Sequence, residues 1–208
     1  MPESDSQGTP RPPGSRSERL RLLLGLLPKP PGPPPGPPLV GIRATAVKFL
    51  GSFLGAGFLP MAPGTWGSLA ALAIYSPLLF VRVRHPSLVC LLLFLLFSIA
   101  SLALGGHAER AAGRQDPRWF VLDEMAGVFL ALFGLSDYNI GPVLVGVAFL
   151  LFRLFDALKI GAVGWMDKRL SGTLGILLDD WVAGAIANLL VRGLAWGLLV
   201  MGLASRAP

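Results

Sequence analysis

Beyond residue 48 the chain alternates between long apolar runs and short polar breaks. No Asp, Glu, Lys or Arg occurs from Phe49 to Val81, and none from Pro86 to Gly106. A helix needs about 20 apolar residues to cross the hydrocarbon core of a bilayer, so runs of this length point to membrane segments. The pattern predicts five, over about residues 67–82, 87–105, 121–136, 142–158 and 179–202, with turns at VRVRHPS and GLSDYNIGP and in the polar stretches 107–120 and 159–178. The piece before the first, FLGSFLGAGFLPMAPGTWGS, is apolar but broken by Gly and Pro. Non-helical backbone at membrane depth is tolerated only under protein or beside a wet cavity, so this piece reads as a re-entrant or interfacial segment. The fold class is therefore all-α, a polytopic membrane helical bundle. The apolar runs begin too far into the chain, and recur too often, to be a signal peptide.

Residues 1–42 read differently. They include PKPPGPPPGPP together with Ser and Arg, a mixture that keeps backbone extended and solvated. This stretch is expected to be a disordered proline-rich tail, and residues 43–208 a membrane-embedded domain.

Composition agrees: 53% of the 208 residues are hydrophobic and 14% charged, far from the balance of a soluble domain. The one cysteine, Cys90, lies inside VCLLLFLLF, which excludes an internal disulfide and every motif built on paired cysteines. A net charge of +6 does not indicate nucleic acid, because the basic residues are scattered around apolar segments without interleaved aromatics. Anionic lipid suits them better. An N-terminus on the cytoplasmic side puts Arg43, Lys48, Arg110, Arg114, Arg118, Arg153, Lys159, Lys168 and Arg169 on that side, and Arg82, Arg84 and Arg206 outside. That is the asymmetry of the positive-inside rule.

The same topology gathers the polar residues. PGTWGS precedes the first segment, Asp123 and Glu124 open the third, Arg153, Asp156 and Lys159 close the fourth, and Asp179 and Asp180 open the fifth, all at the cytoplasmic boundary. Carboxylates there are costly unless protonated, paired or bound to a cation. Asp123, Glu124, Asp156, Asp179 and Asp180 are the candidate metal ligands, and the scarcity of His and Cys favours Mg²⁺ over zinc. Arg153, Asp156 and Lys159 recur every three residues and share a helix face, so the two basic groups can grip a phosphate. Gly64, Thr65 and Ser68 offer a turn, capping hydroxyls and helix-start amides to the same anion. Blander roles compete with each: Asp123 and Glu124 complement a helix dipole, and Arg153 with Asp156 forms a structural ion pair.

These stretches, GFLPMAPGTWGSLAA at 57–71, VLDEMAG at 121–127, FRLFDALK at 152–159 and GILLDDWVAG at 175–184, resemble the phosphatidylglycerophosphatase A family over about residues 45–200. Ile160 departs from the proline common there in the family. The resemblance implies a Mg²⁺-dependent membrane phosphatase of phospholipid biosynthesis, converting phosphatidylglycerophosphate to phosphatidylglycerol. It further implies a bacterial inner-membrane enzyme whose site faces the cytoplasm. Glu124, Asp156 and Asp180 are then the candidate catalytic carboxylates, and the nucleophile is either water or an aspartate.

Other chemistries fit less well. A phosphohistidine mechanism needs catalytic histidines near arginines, and His85 and His107 lie in no such motif. A DxDxT nucleophile is absent, and so is the longer aspartate signature of the CDP-alcohol phosphotransferases. The non-enzymatic alternative, a small cation transporter or channel with an acidic cluster, calls for charges at mid-membrane or on both faces.

Overall fold

The computed structural model describes residues 36–81, 83–158, 172–203 and 205, and among these the protein is all-helical. Six helices exceed one turn: α1 (Gly41–Gly51), α2 (Pro63–Tyr75), α3 (Pro86–Ala112), α4 (Leu122–Leu132), α5 (Gly141–Leu158) and α6 (Gly172–Val200). A 3₁₀ turn at Ala56–Phe58 links α1 to α2, and a single helical turn at Pro77–Phe80 follows α2.

Three of these, α3, α5 and α6, are long and apolar enough to cross a membrane. The pattern of apolar runs predicted five. The shortfall lies in α2 and α4, whose 13 and 11 residues cover only about 20 and 16 Å at 1.5 Å per residue. Local causes stop both. Pro77 cannot donate to the α2 ladder, and α4 gives way at Phe133 to Gly134, whose φ of +72° is left-handed.

Three boundaries also move. The α3 helix runs on to Ala112, so residues 107–112 are helical where a turn was expected. The α2 helix starts at Pro63, where the missing N–H costs nothing, so PGT is its first turn and not a loop ahead of it. The α6 helix starts at Gly172, so residues 172–178 are helical where a turn was expected. Asp179 and Asp180 therefore lie two turns inside, after apolar residues such as Leu177 that bury against the bundle. Residues 1–35, Arg82, and residues 159–171, which contain Lys159, Ile160, Trp165, Lys168 and Arg169, lie outside the described residues, as do Ala204 and residues 206–208 with Arg206.

The most central helix is α4, which at 11 residues is as short as α1. Met125, Ala126, Val128, Phe129, Ala131 and Leu132 of α4 are fully buried, and α4 packs on α2, α3, α5 and α6. The outer helices instead expose Leu92, Leu96 and Ile99 on α3, Leu150 on α5 and Leu189 on α6, as a lipid-facing surface requires.

Candidate active site

Asp123 and Glu124 occupy the first turn of α4, where the unsatisfied amides of a helix start favour negative charge. The entry to that turn is fixed from outside, because Val121 N–H donates to the Gly51 carbonyl at 3.0 Å. Within it, Glu124 N–H donates to Asp123 Oδ1 at 3.1 Å.

The third carboxylate arrives on α6, and glycines decide how close it comes. Gly127 follows Asp123 by four residues, and Gly184 follows Asp180 by four, so each glycine lies one turn along the same face as its aspartate. A Cβ on Gly127 would stand 2.8 Å from the Asp180 carbonyl oxygen and 2.6 Å from the Phe152 ring, and one on Gly184 would run into the Gly127 carbonyl. Backbone thus touches backbone at this crossing. One turn back, single oxygens of Asp123, Glu124 and Asp180 all lie within 4.8 Å of one another. Asp123 and Asp180 are buried and Glu124 is half-buried. Three carboxylates so close repel unless a proton or a cation intervenes. The Oε2 atom of Glu124 is itself buried and has no hydrogen-bond partner among the described residues. Hard oxygen donors converging from two helices, one with an unused lone-pair set, fit a divalent cation such as Mg²⁺.

Arg153 of α5 forms the basic side of the site. Its Nη2 donates to Thr65 Oγ1 at 3.0 Å, and its Nη1 donates to Ser68 Oγ at 3.3 Å and to Asp156 Oδ2 at 2.5 Å. Thr65 and Ser68 were expected to cap α2. They do not: the residue before the helix is Ala62, no side chain caps it, and both hydroxyls accept from the guanidinium. A hydroxyl on the second helical turn faces sideways into the bundle and cannot reach back to the helix start, which is why Ser68 is buried and serves α5. Gly64 joins the two halves, since a Cβ there would collide with Glu124 Oε1. The Arg153 and Asp156 side chains remain 19% exposed, so the basic side is reachable from outside the bundle.

Asp123, Glu124 and Asp180 are thus brought together, with Gly64, Thr65, Ser68 and Arg153 beside them. Asp156 lies outside the carboxylate trio and pairs with Arg153. Asp179 is buried next to Asp180 but is not in the trio, and Lys159 lies outside the described residues. The positions that sequence reasoning missed are Gly127 and Gly184. Their signal is the spacing D-x-x-x-G, present once in VLDEMAG and once in DDWVAG.

Comparison with known proteins adds an independent finding. A family model described as Phosphatidylglycerophosphatase A matches residues 49–195. A Bacteroides thetaiotaomicron protein named "Putative phosphatidylinositol-3-phosphatase" is 34% identical over 148 residues, covering 71% of this chain and 92% of that protein. Proteins named phosphatidylglycerophosphatase A from Haemophilus influenzae and Escherichia coli are each 32% identical, over 157 and 133 residues. They cover 74% and 64% of this chain, and 91% and 74% of their own lengths. No solved structure matches the chain.

Proposed function

The chain belongs to the phosphatidylglycerophosphatase A family and is a phosphatase, and on that premise we propose that it hydrolyses phosphatidylglycerophosphate to phosphatidylglycerol and phosphate with the help of Mg²⁺. The observation that carries the reading is the meeting of Asp123, Glu124 and Asp180 beside a guanidinium, with Glu124 Oε2 unpartnered among the described residues. Those three carboxylates would hold the ion, which supplies positive charge where negative charge develops on the phosphoryl oxygens.

The chain's own groups do the rest. Arg153 binds the phosphomonoester through its planar donors, and Thr65, Ser68 and Asp156 keep those donors at a fixed angle. Asp156 is therefore a positioning residue for Arg153. Glu124, at the junction of the acidic and basic halves, orients the attacking water and takes its proton. The bond from water oxygen to phosphorus forms as the bond from phosphorus to the lipid oxygen breaks, and the released alkoxide takes up a proton. Burial of Asp123 and Asp180 limits competing water around the reacting groups.

The lipid keeps its acyl chains in the bilayer while its phosphate reaches the site from the cytoplasmic leaflet of a bacterial inner membrane, as a step of phospholipid synthesis. The name of the Bacteroides relative supports a second substrate, since a phosphoinositide monophosphate presents the same phosphomonoester. Phosphate release by purified protein from phosphatidylglycerophosphate and from phosphatidylinositol 3-phosphate, each with Mg²⁺ or with a chelator, separates the two. Mg²⁺-dependent turnover at least about tenfold faster on the first lipid is expected, a difference of roughly 1.4 kcal/mol in transition-state binding. No release by well-folded protein, or release indifferent to the chelator, would sink the proposal.

A further inference from the structure

The segment between α1 and α2 holds two properties that rarely occur together in a water-facing loop. Apart from Phe53, half-buried against Phe97, its large side chains point outward: Leu54 is 62% exposed, Phe58 54%, Leu59 43% and Met61 88%, with Trp66 at 40% beside them. Its backbone amides from Ser52 to Leu59, by contrast, ask nothing of water. The amides of Ser52, Phe53 and Leu54 donate to the carbonyls of Lys48, Leu50 and Phe49. Gly55 N–H donates to Ser52 Oγ at 3.1 Å. Those of Ala56, Gly57, Phe58 and Leu59 donate to Phe53, Ser52, Gly55 and Ala56, all at 2.9 to 3.2 Å. Residue 60 is proline and has no amide to satisfy.

The turn is strained, with Phe53 and Leu54 inside the bonded stretch and Met61 and Ala62 beyond it all at left-handed φ values between 47° and 66°. Exposed apolar side chains over eight consecutive bonded amides, Ser52 to Leu59, suit immersion in lipid, because an open amide in hydrocarbon costs several kcal/mol. Water selects neither.

The segment is also tied to the site. Gly57 packs so closely on Trp119 that a Cβ would strike the Trp119 carbonyl, and Phe58 stacks on the Trp119 ring with centroids 5.8 Å apart. Val121, two residues before Asp123, is bonded to Gly51. At its far end the segment runs into Pro63 and Gly64, against Glu124.

We propose that residues 53–62 form a ledge immersed in the acyl chains of the bilayer leaflet on the side of the carboxylate cluster, and that a lipid substrate reaches Arg153 and Glu124 by sliding along it. The occupant is the leaflet itself, continuous with the lipid-facing side chains of α3, α5 and α6. Trp66 lies at its polar edge, with its indole N–H donating to the Pro60 carbonyl at 3.1 Å. The substrate-gathering role rests on the lipid phosphatase reading above, whereas the immersion does not.

Two measurements on the full chain test it. In a Cys90→Ala background, bimane is attached at Met61→Cys or, for comparison, at Asp116→Cys, and the protein is placed in vesicles of brominated phosphatidylcholine and phosphatidylglycerol. Quenching at 61 by the brominated chains and not by iodide, with the reverse at 116, is expected. Iodide quenching at 61 without lipid quenching overturns immersion. In the second, Phe58→Ser and Met61→Ser are compared with the parent on long-chain substrate in vesicles and on its water-soluble deacylated headgroup. The KM for the vesicle substrate should rise about tenfold while the soluble substrate is unaffected. An equal loss on both, or on neither, overturns the gathering role. Turnover of neither substrate by the parent counts against the phosphatase reading and leaves immersion to the quenching result.

Discussion

The two ends of α4 carry polar clusters of opposite character. At its start, Asp123 and Glu124 meet Asp180. At its end, Asn188 Nδ2 donates to the Ala131 and Phe133 carbonyls at 2.9 Å each. Arg192 donates through Nη2 to Phe133 O and through Nε to Asn188 Oδ1, also at 2.9 Å. The guanidinium lies 5.5 Å from the centre of the Phe133 ring. Both clusters join α4 to α6, with Asn188 and Arg192 about 12 and 18 Å along α6 from Asp180 at 1.5 Å per residue. The far cluster is closed: donors are matched to carbonyls that a helix end leaves open, and a cation sits where the helix dipole is negative. In the near cluster, like charges face one another and one buried carboxylate oxygen has no partner among the described residues. A closed network holds a structure together, whereas an open one waits for a ligand.

The comparison can be broken by substitution. Glu124→Gln keeps size and removes charge, so phosphate release should fall by about a hundredfold or more if the residue is a direct ligand. The melting temperature without Mg²⁺ should stay level or rise, because repulsion within the trio is relieved. A large loss of stability with turnover per folded molecule intact would show that the near cluster is as structural as the far one.

Next in size is the crossing that brings α6 to α4. Gly184→Ala forces a methyl into the Gly127 carbonyl, so the helices must separate and the carboxylates with them. Turnover should drop about tenfold and the Mg²⁺ concentration for half-maximal rate should rise, in line with outer-shell changes at metal sites. Ala at Gly193, which meets nothing within 4 Å, should alter neither. If both variants behave alike, close approach is not what sets the site.

Arg192→Met should do the converse of Glu124→Gln. It removes the donor to Asn188 Oδ1 and one of the two donors to Phe133 O, so stability should fall by about 2 kcal/mol while turnover per folded molecule and Mg²⁺ response stay near the parent's. A changed Mg²⁺ response would mean that the far end sets the near one. Least of all should follow from deleting residues 2–35, which lie outside the stretch 49–195 that the family model matches, and a correctly inserted truncation should keep its phosphate release.

Much of this was legible in the chain itself, for identifiable reasons. Length and high mean hydropathy mark α3, α5 and α6, and the carboxylates of α5 and α6 stand out against that background. Apolar content does not distinguish a helix that crosses lipid from one walled in by protein, so α4 reads as another span although it is an 11-residue core helix. The carbonyls left open at its end are taken by Asn188 and Arg192, more than 50 residues away, and no local pattern announces such partners. Thr65 and Ser68 were picked out for their hydroxyls, but their true partner, Arg153, lies 88 and 85 residues on. Gly127 and Gly184 were visible in the motifs, yet a glycine's role as a contact point emerges only once the opposing backbone is in place.

The central claim is that the open cluster binds the cation the chemistry needs. Mg²⁺ binding measured by calorimetry on the parent and on Glu124→Gln, with phosphate release from phosphatidylglycerophosphate followed on the same samples, tests it most directly. Saturable binding by the parent that tracks turnover, with both lost together in Glu124→Gln, is the predicted result. Undiminished binding and turnover in folded Glu124→Gln would contradict it.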